Sequence, residues 1–202
     1  MDIDVVRVGE IERIVRDWLD EPDLLVLSGR WGDGAVMELV PPSPPRLTGQ
    51  RYEGRFAGLR DLLLDGQAHH VHLDLARLTR ATYLVSPSVC FGFRPSFELR
   101  LHAPEADPLE SFGLGFSLRA PYRNGGVARE AVGRYFSRYR RHRAACARAV
   151  SFVALCPADA CPLPEGFDWS EVGRLAAQAD VPHCRGAGDL AGMLDRAAEA
   201  LS

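Results

Sequence analysis

The sequence predicts an α+β protein in which an antiparallel β-sheet is flanked by helices and followed by a small C-terminal β-α-α appendage. Three observations support this fold class. Short apolar runs bounded by turn residues fill the middle of the chain, apolar residues at helical spacing occupy segments on either side, and the length of 202 residues suffices for one domain with an appendage.

The first helix is predicted within the N-terminal 20 residues, where apolar side chains recur three and four positions apart until Glu21-Pro22 ends the pattern. Apolar runs at 24–27 and 35–40 flank a glycine-rich stretch and predict a β-hairpin. The proline segment 41–45 ends the second strand, because proline has no N–H to donate. We interpret residues 41–68 as a loop.

Four strands at 69–75, 81–85, 96–102 and 110–118 are expected to form the centre of one sheet. In the third strand, alternation predicts one core face and one polar face. In the fourth strand, the face opposite the apolar one carries small residues, including Gly113 and Gly115. Such a face admits a flat ligand or a closely packed backbone, and it is equally typical of a bulged or bent strand.

A surface helix is predicted over 127–143, followed by a strand at 149–155 and helices at 168–179 and 187–201. We therefore predict a domain at 1–145 and an appendage at 146–202, which can pack on the same sheet. Cys156 and Cys161 are five positions apart and resemble no zinc pattern, so structural thiols are the favoured interpretation, ahead of a redox pair or an adventitious metal site.

The charge balance argues against nucleic acid as a partner, since the formal net charge is −3. All 24 basic residues are arginine, and nine of them lie between Arg119 and Arg148 with Glu130 as the only acid. That segment is compatible with a solvated helix face, a carboxylate-binding surface or, less favoured, nucleic-acid binding. Apolar runs are too short to span a membrane and no secretion leader opens the chain, so we expect a cytoplasmic protein.

The most unusual motif is His69-His70-Val71-His72 at the start of a predicted strand. On a strand, His70 and His72 project to the same side, near enough to share one ion or to offer alternative ligands to one iron. A polar strand face whose imidazoles bond to water or to neighbours explains the pair as well. A nonhaem metal-dependent enzyme that uses both histidines and one carboxylate is a further alternative.

The order of strand motifs from His70-Val-His72-Leu-Asp74, through Ala81–Val85 and Phe91–Ser96, to the alternating strands at 97–101 and 112–118 resembles the HutX/ChuX family of intracellular haem-utilisation proteins. A chain of that family is similar to one half of a HemS-type protein. The resemblance covers roughly residues 5–140. It departs from the family pattern at Val71, where glycine is usual, and in the loop 41–68, which contains no histidine.

The resemblance implies a HemS/ChuX-like fold, haem bound as cargo and a homodimer. By position, His72 matches the histidine implicated in iron coordination, His70 can substitute for it, and Tyr52 is the alternative ligand. Haem also needs an apolar slot, which the face of Gly113 and Gly115 would supply. Its propionates need cations, for which the candidates are Arg94, Arg100, Arg119 and Arg123.

The function predicted from the sequence is therefore haem binding and trafficking in haem iron utilisation. A haem carrier is favoured over an enzyme, and the enzymatic alternatives are haem degradation with an external reductant or nonhaem metal chemistry. A structural or regulatory module without a ligand is the third class.

Overall fold

The computed structural model describes residues 3–30, 35–48, 52–65, 69–92 and 94–154. These ranges form a mixed α+β fold, as the sequence predicts. The helices are α1 (Ile3–Leu19) and α2 (Arg129–Ala145), and the strands are β1 (Leu24–Arg30), β2 (Ala35–Leu39), β3 (Arg46–Leu47), β4 (Leu59–Asp65), β5 (His69–Asp74), β6 (Arg80–Pro87), β7 (Pro95–His102), β8 (Ser111–Leu118), β9 (Tyr122–Arg123), β10 (Gly126–Val127) and β11 (Val150–Ala154).

The strands form three sheets. The largest has six strands in the order β11-β6-β7-β8-β1-β2, and β1 pairs antiparallel with both β2 and β8. A second sheet has the order β3-β4-β5 with antiparallel pairing, and β9 and β10 form a two-stranded ribbon. The predicted hairpin of β1 and β2 is therefore confirmed.

The prediction that the strand at 69–75 lies in the same sheet as the three strands after it is wrong. That strand is β5, and it pairs with β4, which lies in the segment interpreted as a loop. The three consecutive leucines of β4 conceal the alternation of a strand, yet Arg60, Leu62 and Leu64 are buried while the residues between them are not. A local antiparallel pair thus forms between neighbouring segments of the chain.

The chain divides into two compact units. Among the described residues, unit 1 comprises those within 3–82, 99–119 and 146–151, and unit 2 comprises those within 83–98, 120–145 and 152–154. In unit 1, Ile11, Ile14, Val15 and Trp18 of α1 are fully buried, and Trp18 stacks on Phe116 with ring centroids 5.9 Å apart. The spacing that predicted α1 is therefore that of its core-facing side chains.

In the described part of unit 2, aromatic side chains form most of the core. Tyr135 of α2 is fully buried, and its hydroxyl donates to the carbonyl groups of Leu84 at 3.0 Å and Glu98 at 3.2 Å. The hydroxyl of Tyr83 lies 2.6 Å from Nδ1 of His142. The helix predicted over 127–143 is thus confirmed, and its inward face carries hydrogen-bonding groups together with its rings.

The polar face predicted for β7 is not exposed, because every residue of this strand is buried. Its polar side chains are satisfied internally. Oγ of Ser96 lies 2.7 Å from Oε1 of Glu98, and Nε2 of His102 lies 2.8 Å from Oγ1 of Thr82. Alternation along this strand separates two buried environments, one apolar and one hydrogen-bonded.

The C-terminal appendage is described only as far as Ala154. The strand predicted at 149–155 is present as β11, whereas the predicted helices at 168–179 and 187–201, together with Cys156 and Cys161, lie outside the described residues. The domain boundary at 145 therefore stays a prediction. Within the described ranges, neither helix has the length and apolar character needed to cross a membrane.

Candidate functional site

The outer face of the three-stranded sheet gathers polar side chains in rows across the strands. Residues opposite one another on paired strands share a face. The register places His72 opposite Asp61 and His70 opposite Leu63, and Leu63 in turn lies opposite Arg46. All five residues are exposed or half-buried, so solvent reaches this face.

The carboxylate of Asp61 binds two other side chains of this face. The hydroxyl of Tyr52 donates to Oδ2 at 2.8 Å and to Oδ1 at 3.0 Å, and Nδ1 of His72 lies 2.6 Å from Oδ1. The backbone fixes Asp61 as well, because the N–H of Thr48 donates to its carbonyl oxygen at 2.9 Å. The sheet therefore holds the carboxylate between a phenol and an imidazole.

This arrangement shifts the proton affinity of two groups. Burial opposes the ionisation of Asp61, but the hydrogen bonds from Tyr52 and His72, together with the positive charges that His72 and His70 carry when protonated, outweigh it and lower the pKa of this carboxyl. The hydrogen bond to Asp61 raises the pKa of the Tyr52 hydroxyl, and burial and the carboxylate charge add to the effect. At neutral pH, Asp61 is an anion and Tyr52 a neutral donor.

The anionic state of Asp61 determines which nitrogen of His72 carries a proton. A carboxylate only accepts hydrogen bonds, so Nδ1 of His72 is the protonated nitrogen and Nε2 of the neutral ring keeps its lone pair. The side chain of His72 is 57% exposed, which leaves its ring open to a ligand from solvent. A histidine whose second ring nitrogen donates to a carboxylate is the usual arrangement of a metal-binding imidazole.

His70 lies beside His72, with ring centroids 4.8 Å apart and ring planes at 76°. The structure thus brings together the two histidines that the sequence singles out. Among the described residues, no group of three or more His, Cys, Asp or Glu side chains is placed to hold a metal ion. The face supplies one or two imidazoles, which suits an ion that arrives with most of its coordination shell.

Arg100, one of the four predicted propionate ligands, is buried. Its guanidinium donates to the carbonyl groups of Pro108 at 2.8 Å and Leu109 at 3.2 Å and lies over the ring of Phe112, 4.7 Å from the centroid. These contacts fix the segment before β8. The side chain thus has a structural role in unit 1.

The other three predicted propionate ligands lie in different surroundings. Arg119 belongs to unit 1 and is 3.6 Å from the carboxylate of Asp23. Arg94 and Arg123 belong to unit 2, where Arg94 lies 5.3 Å from the ring centroid of Tyr122 and Arg123 is exposed on β9. Arg119 and Arg94 thus contact Asp23 and Tyr122, neither of which belongs to the strand of His70 and His72.

A groove of about 460 Å³ lies in unit 1 between the C-terminal end of α1, Val40 and the proline segment 41–45. Arg119 contributes to its wall, whereas neither His70 nor His72 lines it. This groove and the outer face of the three-stranded sheet are therefore separate features of unit 1.

The small-residue face of β8 is occupied by side chains of unit 1. A Cβ atom added at Gly113 would lie 2.7 Å from Cδ2 of Leu78, and one added at Gly115 would lie 3.1 Å from Cβ of Leu27. The pairing of β1 with β8 also shifts register between Leu27 and Gly29. Of the two explanations offered by the sequence, these contacts favour close packing at a bulge over a slot for a flat ligand.

Two residues of the outer face were not found by sequence reasoning, Asp61 and Arg46. The signal for Asp61 was the leucine-rich segment 59–64 between Gly58 and Gly66, which has the length and boundaries of a strand. Arg46 had no such signal, because a two-residue strand leaves no pattern. Tyr52 was considered only as a ligand, whereas the structure makes it a hydrogen-bond donor to Asp61.

No protein-family model matches this chain, and no curated protein matches it at a significant level.

Proposed function

We propose that this protein binds haem as cargo in the cytoplasm and that His72 is the axial ligand of the iron. The observation that carries the proposal is the 2.6 Å contact between Nδ1 of His72 and the carboxylate of Asp61. This contact holds one exposed imidazole in the tautomer and orientation that a metal ligand needs.

The number of imidazoles on the outer face supports haem over a bare metal ion. The porphyrin supplies four nitrogen ligands to its iron, so one or two protein ligands complete the coordination. His72 provides the first and His70, 4.8 Å away by ring centroid, provides a substitute or a second. The exposure of this face also suits a cargo that has to be handed on.

The row Arg46, Leu63 and His70 supports the same ligand. Neighbouring strands are about 4.8 Å apart, so the Cα atoms of Arg46 and His70 are separated by about 10 Å across the sheet. The half-buried Leu63 lies between them and offers apolar contact to a macrocycle. We assign to Arg46 the propionate contact, and we leave Arg100 out because backbone carbonyl groups occupy its guanidinium.

Kinship with the HutX/ChuX family, a homodimeric assembly and a cytoplasmic location stay predictions. Each fits a protein that receives and releases haem. We propose no chemical transformation of the haem, because the outer face provides coordination and hydrogen bonds but no further group placed to act on the porphyrin among the residues described.

The test is a titration of the purified protein with hemin, followed by the Soret absorbance. We expect a saturable Soret shift in the wild type, a weaker and displaced shift in the His72→Ala variant, where His70 alone remains as a ligand, and loss of the shift when both histidines are replaced. His69→Ala is the matched control, since it removes an imidazole from the same strand. The side chain of His69 is 74% exposed. That control is expected to titrate as the wild type does.

A wild-type protein without a Soret shift overturns the proposal, as does a shift that survives in the double variant of His70→Ala and His72→Ala. Metal analysis of the protein as purified tests the nonhaem alternative. If the purified protein contains stoichiometric iron or zinc but no porphyrin, and if this metal is lost when both histidines are replaced, the ligand of these imidazoles is a bare metal ion and not haem.

A further inference from the structure

The carboxylate of Asp61 accepts hydrogen bonds from His72 and Tyr52, and these two hydrogen bonds have opposite effects on the strength of His72 as a metal ligand. One oxygen is 2.6 Å from Nδ1 of His72, and both oxygens accept from the hydroxyl of Tyr52, at 2.8 and 3.0 Å. The side chain of Asp61 is 15% exposed. Little water therefore competes for this carboxylate.

A hydrogen bond from Nδ1 to an anion raises the electron density of the imidazole ring and makes Nε2 a stronger donor to a metal. A stronger donor stabilises iron with the higher charge, so it favours Fe³⁺ over Fe²⁺. The hydroxyl of Tyr52 withdraws electron density from the same carboxylate, because a shared acceptor binds each of its donors less strongly. Asp61 and Tyr52 thus act on His72 in opposite directions.

We propose that Asp61 is a positioning residue that makes the His72 site select ferric over ferrous haem, and that Tyr52 limits the strength of this selection. The inference rests on the proposed haem-binding function and adds to it the oxidation state of the cargo. Neither residue touches the iron, since both act through the imidazole of His72.

Stabilisation of the sheet does not explain this arrangement by itself. Strands β4 and β5 are already joined by backbone pairing along six residue pairs, and a polar side-chain pair on facing strands adds little to that stability. The same strands carry a second acid–imidazole pair of that ordinary kind, in which Asp65 lies 3.9 Å from His69. Only the Asp61 pair has hydrogen-bonding distance and a second donor.

The experiment measures the reduction potential of the haem complex by spectroelectrochemistry in the wild type and three variants. Asp61→Asn removes the anion, so the affinity for ferric haem is expected to fall about 10- to 100-fold relative to ferrous haem. Each tenfold change raises the potential by about 59 mV for one electron. Tyr52→Phe leaves the whole carboxylate to His72, so its potential is expected to fall.

Asp65→Asn is the matched control, because it removes the same charge from the same strand without touching His72. Its potential is expected to stay near that of the wild type. Equal shifts in Asp61→Asn and Asp65→Asn would overturn the inference in favour of a simple loss of charge. Shifts of the same sign in Asp61→Asn and Tyr52→Phe would overturn it as well.

A second measurement separates this inference from the proposed function. The ¹⁵N chemical shifts of the His72 ring in the haem-free protein are expected to show a proton on Nδ1, and the Nδ1–H proton resonance is expected to move upfield in Asp61→Asn. If hemin binds but this resonance does not respond, the inference fails and the haem site stands. If hemin does not bind the wild type, the proposed function fails and the inference fails with it.

Discussion

Gly58 and Gly113 both lie in close contact with a neighbour in unit 1, but the atoms they meet differ. A Cβ atom at Gly58 would lie 2.7 Å from Cβ and 2.9 Å from the backbone nitrogen of Ala76. A Cβ atom at Gly113 would lie 2.7 Å from Cδ2 of Leu78, the far end of a flexible side chain. The first contact is with rigid backbone, and the second can be relieved by a rotation.

We expect Gly58→Ala to reduce the free energy of unfolding by about 2 kcal/mol or more, because the backbone near Ala76 has to move. Gly113→Ala is expected to change it by less than about 1 kcal/mol, since the strain on Leu78 is offset by the lower entropy of the unfolded chain. Urea denaturation of the two variants checks this. Equal losses would contradict the distinction between backbone and side-chain neighbours.

At the scale of elements, α1 is joined to β4 by a charged contact. Nε of the buried Arg60 donates to Oε2 of Glu12 at 3.1 Å, and its Nη1 donates to the carbonyl groups of Ala57 and Leu59. Burial opposes the ionisation of Glu12, but its contacts with Arg16 and Arg60 outweigh this and lower the pKa of the carboxyl. Glu12 is thus the anionic partner of a buried cation.

Glu12→Gln is expected to lower the free energy of unfolding by about 2 kcal/mol, because a buried guanidinium loses its counter-charge. Arg16→Gln, which removes the other partner of Glu12 but leaves the buried pair, is expected to lower it by less than about 1 kcal/mol, as for exposed ion pairs. Thermal unfolding of both variants compares them. The prediction is wrong if the exposed pair has the larger effect.

Elements with one apolar face were predictable from the sequence, and the pairing of short strands was not. The periodicity of α1 and α2 indicates which of their apolar residues turn inward, because burial of apolar surface selects such patterns, whereas the alternation of β7 separates an apolar face from a polar face that is buried as well. Strand β4 was missed because burying Arg60 on its inner face breaks the apolar alternation. Since β4 was missed, the partner of β5 was missed too.

The missed pairing of β4 with β5 also limited the prediction of the site. His70 and His72 were found because three histidines in four residues stand out in any sequence. Asp61 became recognisable only when the register of β4 and β5 placed it opposite His72. A hydrogen-bond partner 11 positions away depends on strand pairing, which no local pattern encodes.

At the scale of the whole molecule, folding fixes the charge state of a buried imidazole. Nδ1 of His102 donates to the carbonyl of Ala103 at 2.8 Å, and its Nε2 accepts from Thr82, whose hydroxyl oxygen also lies 2.8 Å from Oγ of Ser151. Burial lowers the pKa of His102 below its usual value of 6.5, against the smaller opposing effect of the Ala103 carbonyl. The folded state therefore favours the neutral ring.

Because the folded state binds this proton less readily than the unfolded chain does, His102 makes stability depend on pH. Its contribution is fully present above a pH of about 6.5 and is lost as the pH falls towards the lower pKa of the folded state, with a slope of at most about 1.4 kcal/mol per pH unit. Urea denaturation between pH 7.5 and 5 is expected to show this slope. Its absence from the wild type, or its persistence in His102→Gln, would contradict the assignment, and His69→Gln is the exposed control.

The packing of Trp18 gives this protein an internal optical reporter. An indole that is fully buried and stacked on Phe116 emits at shorter wavelength than one in water. Release of α1 from the sheet therefore shifts that emission to the red. In a variant whose other two tryptophans, Trp31 and Trp169, are replaced by Phe, such a shift at constant circular dichroism would reveal the undocking of a single helix without any added dye.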